Sequence, residues 1–219
     1  MTKRAIITGA TGMIGSIVLD TCLSSDQIES VTSITRRPSG RSHPKLHEVI
    51  HEDFEDFTSL IDEFKEVDIA YYCIGAYTGS VPDDLFKKIT VDYTIRFADT
   101  LKQNSPKATV VFLSGMGADN SEKSRVSFSR YKGMAENHLL SLHFDALQIF
   151  RPGYIYPVEK RKEPNLLYRL YRWLYPLISR ISPAASVTST QLGEAMFQAG
   201  LYPTTKRILE NKDIIARFE

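Results

Sequence analysis

Short runs of wholly apolar residues alternate along this chain with longer stretches in which apolar residues recur every three or four positions. The first run, Ala5-Ile6-Ile7, begins at Lys3 and breaks at Gly9, as a short buried strand does. Met13 to Leu23 is apolar at helical spacing and stops at Ser24-Ser25-Asp26. Ser30 to Thr35 is rich in β-branched residues and reads as the second strand, and Leu46 to Ile50 as the third, after a loop over Pro38 to Pro44. Val67 to Gly75 gives a fourth strand and Thr109 to Leu113 a fifth, with a sixth leading into Phe150-Arg151. Between them lie a helix over Phe54 to Phe64 and a long amphipathic helix over Asp83 to Asn104, with Leu85, Phe86, Ile89, Tyr93, Phe97 and Leu101 on one side. Ser186 to Leu201 predicts a further helix starting near Thr188 to Gln191, and Arg207 to Phe218 one closing strand or helix. Strands apolar throughout, alternating with helices, mean a parallel sheet covered on both faces. Right-handed crossovers make it a doubly wound α/β sheet.

The totals narrow this only a little. A length of 219 residues suits one α/β domain, or one domain with a small appended lobe. A net charge of +1 gives no case for nucleic acid. Cys22 and Cys73 fall in a helix and a buried strand and read as reduced core residues. No leader-like or membrane-spanning run precedes the first strand, so the expected location is cytoplasmic. His43, His47 and His51 recur every four residues, but Pro44 and the short apolar run argue for loop and strand, so no metal site is expected.

The candidate chemistry lies where strands end. Gly9, Gly12 and Gly15 form a G-x-x-G-x-x-G turn between the first strand and the first helix. Gly9 would permit the tight turn, Gly12 the close approach of backbone N–H groups to a pyrophosphate, and Gly15 the packing of helix on strand. The helix N-terminus would then face the phosphates. The second strand ends in Thr35-Arg36-Arg37, where an NAD site places an acid; two guanidinium groups suit a 2′-phosphate, so NADP is favoured over NAD. Asp53 is a candidate partner for an adenine ring and equally a helix N-cap. Gly75 stands where the chain would pass close to a ligand, and Ser114 ends the fifth strand.

Thr8 to Gly15, Cys73-Ile74-Gly75, Phe112-Leu113-Ser114, Lys132-Gly133 and Phe150-Arg151-Pro152-Gly153 together resemble the atypical short-chain dehydrogenase/reductases. Within these the chain is most similar to the branch holding the Tat-interacting protein and proteins described as nucleoside-diphosphate-sugar epimerase-like. The resemblance covers roughly residues 3 to 200. It implies a Rossmann fold and cofactor contacts from Gly9, Thr11, Gly12, Met13, Ile14, Gly15, Gly75 and Pro152, with Lys132 on the nicotinamide ribose. It also implies a catalytic group of Ser, Tyr and Lys, the Tyr hydroxyl serving as acid or base. Ser114 and Lys132 match. The residue four before Lys132 is Phe128, which has no proton to transfer. Either a distorted helix start brings Tyr131 in, or another hydroxyl such as Tyr77, Tyr154 or Tyr156 takes over, or the protein holds NADP without this chemistry. Arg151 reads as structural.

By the same resemblance residues 154–186 form a small substrate-facing lobe of the single 1–219 domain. Pro164 to Ser182 is the most aromatic stretch, broken by Arg169, Arg172, Pro176 and Arg180. Its expected place is a pocket wall, with contact to a membrane surface or a partner protein as alternatives. Two functions follow: an NADP-dependent oxidoreductase on a small or apolar carbonyl or alcohol, or an NADP(H)-binding regulatory or assembly protein.

Overall fold

Seven parallel strands in the order β3-β2-β1-β4-β5-β6-β9 carry the chain, with helices on both faces, in a computed structural model that describes residues 2–77, 79–159 and 186–216. The strands are β1 (Lys3–Thr8), β2 (Ile28–Thr35), β3 (Leu46–Ile50), β4 (Ile69–Tyr72), β5 (Thr109–Leu113), β6 (Ala146–Arg151) and β9 (Ile208–Glu210). A second, two-stranded parallel ladder joins β7 (Tyr154–Tyr156) to β8 (Ser186–Thr188). The order reverses between β1 and β4, and it is at such a switch that ligands of open parallel sheets sit. This is the expected Rossmann-like architecture.

Side chains alternate across the sheet and so build two cores. On one face Ile7, Tyr71, Val111 and Phe150 pack beneath α1 (Met13–Ser24) and the later helix α5 (Ser189–Leu201). These two helices lie close: a Cβ on Gly193 would come within 2.4 Å of Ile17. On the other face Ile6, Tyr72, Phe112 and Ile149 meet Phe64, Phe97 and Leu139 from the helices of that side. Burying each large side chain of this kind stabilises by about 1.5–3 kcal/mol. The packing therefore holds the strand ends, and whatever they carry, in fixed positions.

The long helix expected over Asp83 to Asn104 is observed as α2 (Asp83–Lys87), a π turn over Lys88–Asp92, and α3 (Tyr93–Asn104). The helix expected over Phe54 to Phe64 is instead a kinked pair of 3₁₀ turns over Thr58–Phe64, with Leu60 outside helical geometry. Packing explains the difference: Phe54, Phe57 and Phe64 enter the core as touching rings. Asp56 begins the turns by accepting the Thr58 N–H at 2.8 Å. β4 is shorter than expected because Gly9 crosses over Cys73 directly after it. α4 (Ser127–Ser141) carries Lys132, and α5 starts at a capping box between Thr188 and Gln191, as its sequence indicates. Both a strand, β9, and a helix, α6 (Asn211–Ile215), close the described chain. The segment Pro164 to Ser182, and most of the lobe expected over 154–186, lie outside the described residues.

Candidate functional site

The turn after β1 is held by steric demands that only glycine meets. Gly9 has φ +77°, and a Cβ there would lie 2.6 Å from the carbonyl of Cys73. A Cβ on Gly15 would lie 2.2 Å from the Gly9 carbonyl oxygen, so this glycine permits the turn to fold against the first helical turn rather than the helix against the strand. Gly12 has an ordinary extended backbone, donates its N–H to the Gly9 carbonyl at 2.9 Å, and is the N-cap of α1. No side chain caps the helix. Its first-turn N–H groups are thus left facing the space beyond the turn, the arrangement that receives anions at helix N-termini.

Beyond the strand ends lies a cleft of about 400 Å³, with Gly12, Met13 and Ile14 on one side and Gly75 beside them. Ser114, Lys132 and Pro152 complete the sequence-derived candidates that the fold brings to it. A Cβ added at Gly75 would meet no protein atom within 4 Å, so nothing within the described protein requires glycine there and the position is open toward the cleft. Ile74, Leu113, Met116, Phe128 and Ile155 make most of the remaining wall apolar. Arg36 and Arg37 are exposed just past β2, on the far side of β1 from this cleft. Asp53 is exposed beyond β3 and accepts the Glu55 N–H at 2.9 Å, which makes it a turn residue. Thr11 is exposed on the glycine turn.

Lys132 is buried in the floor, where its Nζ donates to the Leu113 carbonyl at 3.0 Å and lies 5.2 Å from the centre of the Phe112 ring. Burial pushes its pKa from 10.5 down to about 8, an effect that the negative charge of Glu136 opposes. Burial also pushes the thiol of Cys73, another lining residue, up to about 12, which leaves it inert. Ser114 donates its hydroxyl hydrogen to Glu136 Oε1 at 2.5 Å. Glu136 is fully buried and takes Arg151 on both oxygens, with Nε at 3.0 Å from Oε1, while Arg151 also reaches Glu210 at 3.1 Å. Arg151 is thereby structural, as read from the sequence. The part that sequence reasoning missed is Glu136; its signal was present, since it stands four residues after Lys132 and so on the same side of α4.

Tyr131 requires a correction. No distortion of the helix start brings it to the cleft: its ring packs against Phe86 on α2, and its hydroxyl donates to Asp83 at 2.7 Å. One residue is about a 100° turn of helix, and that rotation separates it from Lys132. Hydrogen bonds from Ser127 and then Tyr131 hold the Asp83 carboxyl below its usual pKa. Phe128 occupies the cleft instead, with its ring tip 2.6 Å from where a Gly115 Cβ would stand. Tyr77 and Tyr154 also line the cleft.

A doubly wound parallel sheet with a glycine-rich first crossover, a cleft at its switch point and a Ser–Lys pair on its floor defines the class. The chain belongs to the NAD dependent epimerase/dehydratase family, which residues 5–132 match. It is 29% identical to the mitochondrial protein fmp52-2 of Aspergillus oryzae, over 98% of this chain and 96% of that one. It is 34% identical to the mitochondrial protein FMP52 of Candida albicans, over 73% of this chain and 69% of the relative. The rat protein HTATIP2 is 29% identical over 74% of this chain and 67% of its own. Among solved structures, the Bordetella bronchiseptica enzyme WbmF in complex with NAD+ superposes with a TM-score of 0.72 at 12% identity, covering 99% of this chain and 77% of WbmF. The likeness to WbmF is one of fold. The family expected from the motifs is thus the family found. The expected cytoplasmic location is overturned by the fungal relatives, which are named as mitochondrial proteins. That expectation rested on the lack of a leader-like or spanning segment, and an absence of that kind carries no address. No helix among the described residues is long and apolar enough to cross a membrane.

Proposed function

We propose that the chain is an NADP-dependent oxidoreductase of the short-chain type, acting on a small or apolar carbonyl or alcohol. One observation carries the reading: the uncapped glycine turn, Gly75, Ser114 and Lys132 border a single cleft whose other walls are apolar. The protein fits a dinucleotide, since the turn leaves backbone N–H groups for a pyrophosphate and Gly75 leaves its side of the cleft open. When bound, a nicotinamide nucleotide supplies a centre that accepts or delivers hydride. The chain's own residues hold and orient. Residues Gly9 to Gly15 cradle phosphate, and exposed Arg36 and Arg37 pair with a 2′-phosphate through charge-assisted bonds. Lys132 hydrogen-bonds the nicotinamide ribose, Ser114 takes the substrate oxygen, and Phe128 and Met116 keep water from it. The partner is a small molecule. The names of the fungal relatives support a mitochondrial place of action.

A second reading keeps the cofactor and drops the chemistry, and Phe128 favours it. Where its relatives by resemblance carry an acid–base hydroxyl, this chain has a hydrocarbon, and such a group is worth about 10²–10⁴ in rate. A screen of aldehydes, ketones and secondary alcohols with NADPH or NADP+ separates the two. The oxidoreductase reading expects turnover that Lys132→Ala lowers at least tenfold. Cofactor binding without turnover of any member sinks it in favour of a regulatory or assembly role.

A further inference from the structure

We infer that Glu136 makes Ser114 an acceptor-only group, so that the cleft selects a ligand presenting a hydrogen-bond donor, an alcohol in preference to the matching ketone or aldehyde. This deepens the reading of the cleft as a substrate site and rests on it.

A serine hydroxyl has one hydrogen and two lone pairs, and a carboxylate only accepts. Ser114 Oγ lies 2.5 Å from Glu136 Oε1, so its hydrogen points away from the cleft. Every other contact of that carboxylate is also a donor. Oε1 takes Arg151 Nε at 3.0 Å, and Oε2 takes Asn120 Nδ2 at 3.0 Å together with Arg151 Nη2. Arg151 is held in turn by Glu210 Oε1 at 3.1 Å and Asn120 Oδ1 at 2.5 Å. With the Glu136 side chain wholly buried and braced on both oxygens, it has no freedom to release Ser114. The hydroxyl therefore offers the cleft lone pairs alone.

Tyr77 and Tyr154 also line the cleft, but a ketone oxygen can only accept from hydroxyls of this kind, whereas an alcohol can accept from them and donate to Ser114 as well. Phe128, in the place where a tyrosine would donate to a carbonyl oxygen, has no polar atom. Lys132 has one N–H committed to the Leu113 carbonyl, and with a pKa of about 8 it is an ammonium at neutral pH, a donor alone and no acceptor for a hydroxyl hydrogen. A carbonyl oxygen needs donors, whereas a hydroxyl hydrogen needs an acceptor at Ser114. Glu136 acts through Ser114 and is a positioning residue.

The test is a competition between 1-phenylethanol and acetophenone, probes of equal size and apolar character, followed by saturation-transfer NMR on the full chain with and without NADP+. The alcohol should bind about fivefold tighter, the worth of one net hydrogen bond. Ser114→Ala should bring the two to equality by weakening the alcohol alone. Glu136→Gln should narrow the preference, because an amide N–H can donate to Ser114 and turn its hydrogen toward the cleft. If that variant does not fold, the Ser114→Ala comparison decides, with its melting curve as the check on folding. A ketone bound as tightly as the alcohol by the unmodified protein, a preference unchanged in Ser114→Ala, or binding of neither probe overturns the inference. NADPH titrated into the same samples keeps the two readings apart. Loss of cofactor binding with the alcohol preference intact would remove the NADP assignment and leave the role of Glu136 standing.

Discussion

Replacing Lys132 by methionine should make the ligand-free protein more tolerant of neutral pH, with an effect that shrinks as the pH rises. The ammonium is buried against Phe112 and the Leu113 carbonyl, and its pKa falls from 10.5 to about 8. The cause is burial, which penalises the charged form. Between those two values the unfolded chain holds more protons than the folded one, so stability rises with pH across this window. Below about pH 8 the full penalty is present. At about 1.36 kcal/mol per pK unit it amounts to roughly 3 kcal/mol at pH 7 and about half that at pH 9.5. Methionine keeps the length of the side chain without the charge, but leaves the Leu113 carbonyl without its partner, a loss of about 1–3 kcal/mol. The net gain at pH 7 is then about 0–2 kcal/mol. The stability difference between variant and unmodified protein should fall by about 2 kcal/mol between pH 7 and pH 9.5. Urea denaturation of both proteins at the two pH values measures that change, and titrations common to both proteins cancel in it. A difference that stays constant with pH would refute the reasoning, because it would mean that Lys132 is not held in a site that disfavours its charge.

Three further outcomes follow from the same contacts. Arg151→Met removes the guanidinium from the fully buried Glu136 and should destabilise the protein by about 3–5 kcal/mol in urea denaturation, far more than an exposed ion pair such as Lys65–Asp62 would. Tyr131→Phe loses the bond to Asp83, and should lower stability by about 1 kcal/mol while NADPH affinity stays the same; a fall in affinity would return Tyr131 to the site. Gly15→Ala places a methyl group 2.2 Å from the Gly9 carbonyl oxygen, so the turn must open; cofactor binding should be lost before the fold is, seen as a flat NADPH titration with a native-like circular dichroism spectrum.

β1, β4, β5 and β6 were legible because each is a brief apolar run bounded by turn residues, whereas the three-residue strands β7 and β8 were missed, Ser186–Thr188 having been expected within the following helix. Thr109 to Leu113 and Leu46 to Ile50 agree with their observed bounds residue for residue. The glycine turn was legible because sterics that demand glycine leave a spaced signature in the chain. What escaped was set by packing between distant segments. Phe54, Phe57 and Phe64 are spaced as a helix would space them, yet their rings fill a core that forces 3₁₀ turns. The π turn at Lys88–Asp92 keeps the apolar residues flowing and so leaves no mark on periodicity. In the site, Ser114 and Lys132 could be read from strand ends and helix spacing, whereas the direction of the Ser114 hydrogen depends on Glu136, Arg151 and Asn120, which come together only in the fold. Tyr131 shows the converse: only a distorted helix start could bring it beside Lys132, and in the helix that forms, its hydroxyl goes to Asp83 instead.

What the glycine turn and the arginines beyond β2 hold is tested most directly by a titration of the unmodified protein with NADPH and NADH, followed by cofactor fluorescence. Two exposed guanidinium groups available to a 2′-phosphate should make NADPH bind at least tenfold tighter, and the double substitution Arg36→Ala with Arg37→Ala should abolish the difference without changing stability. Equal affinities in the unmodified protein, or tighter binding of NADH, would contradict the NADP assignment.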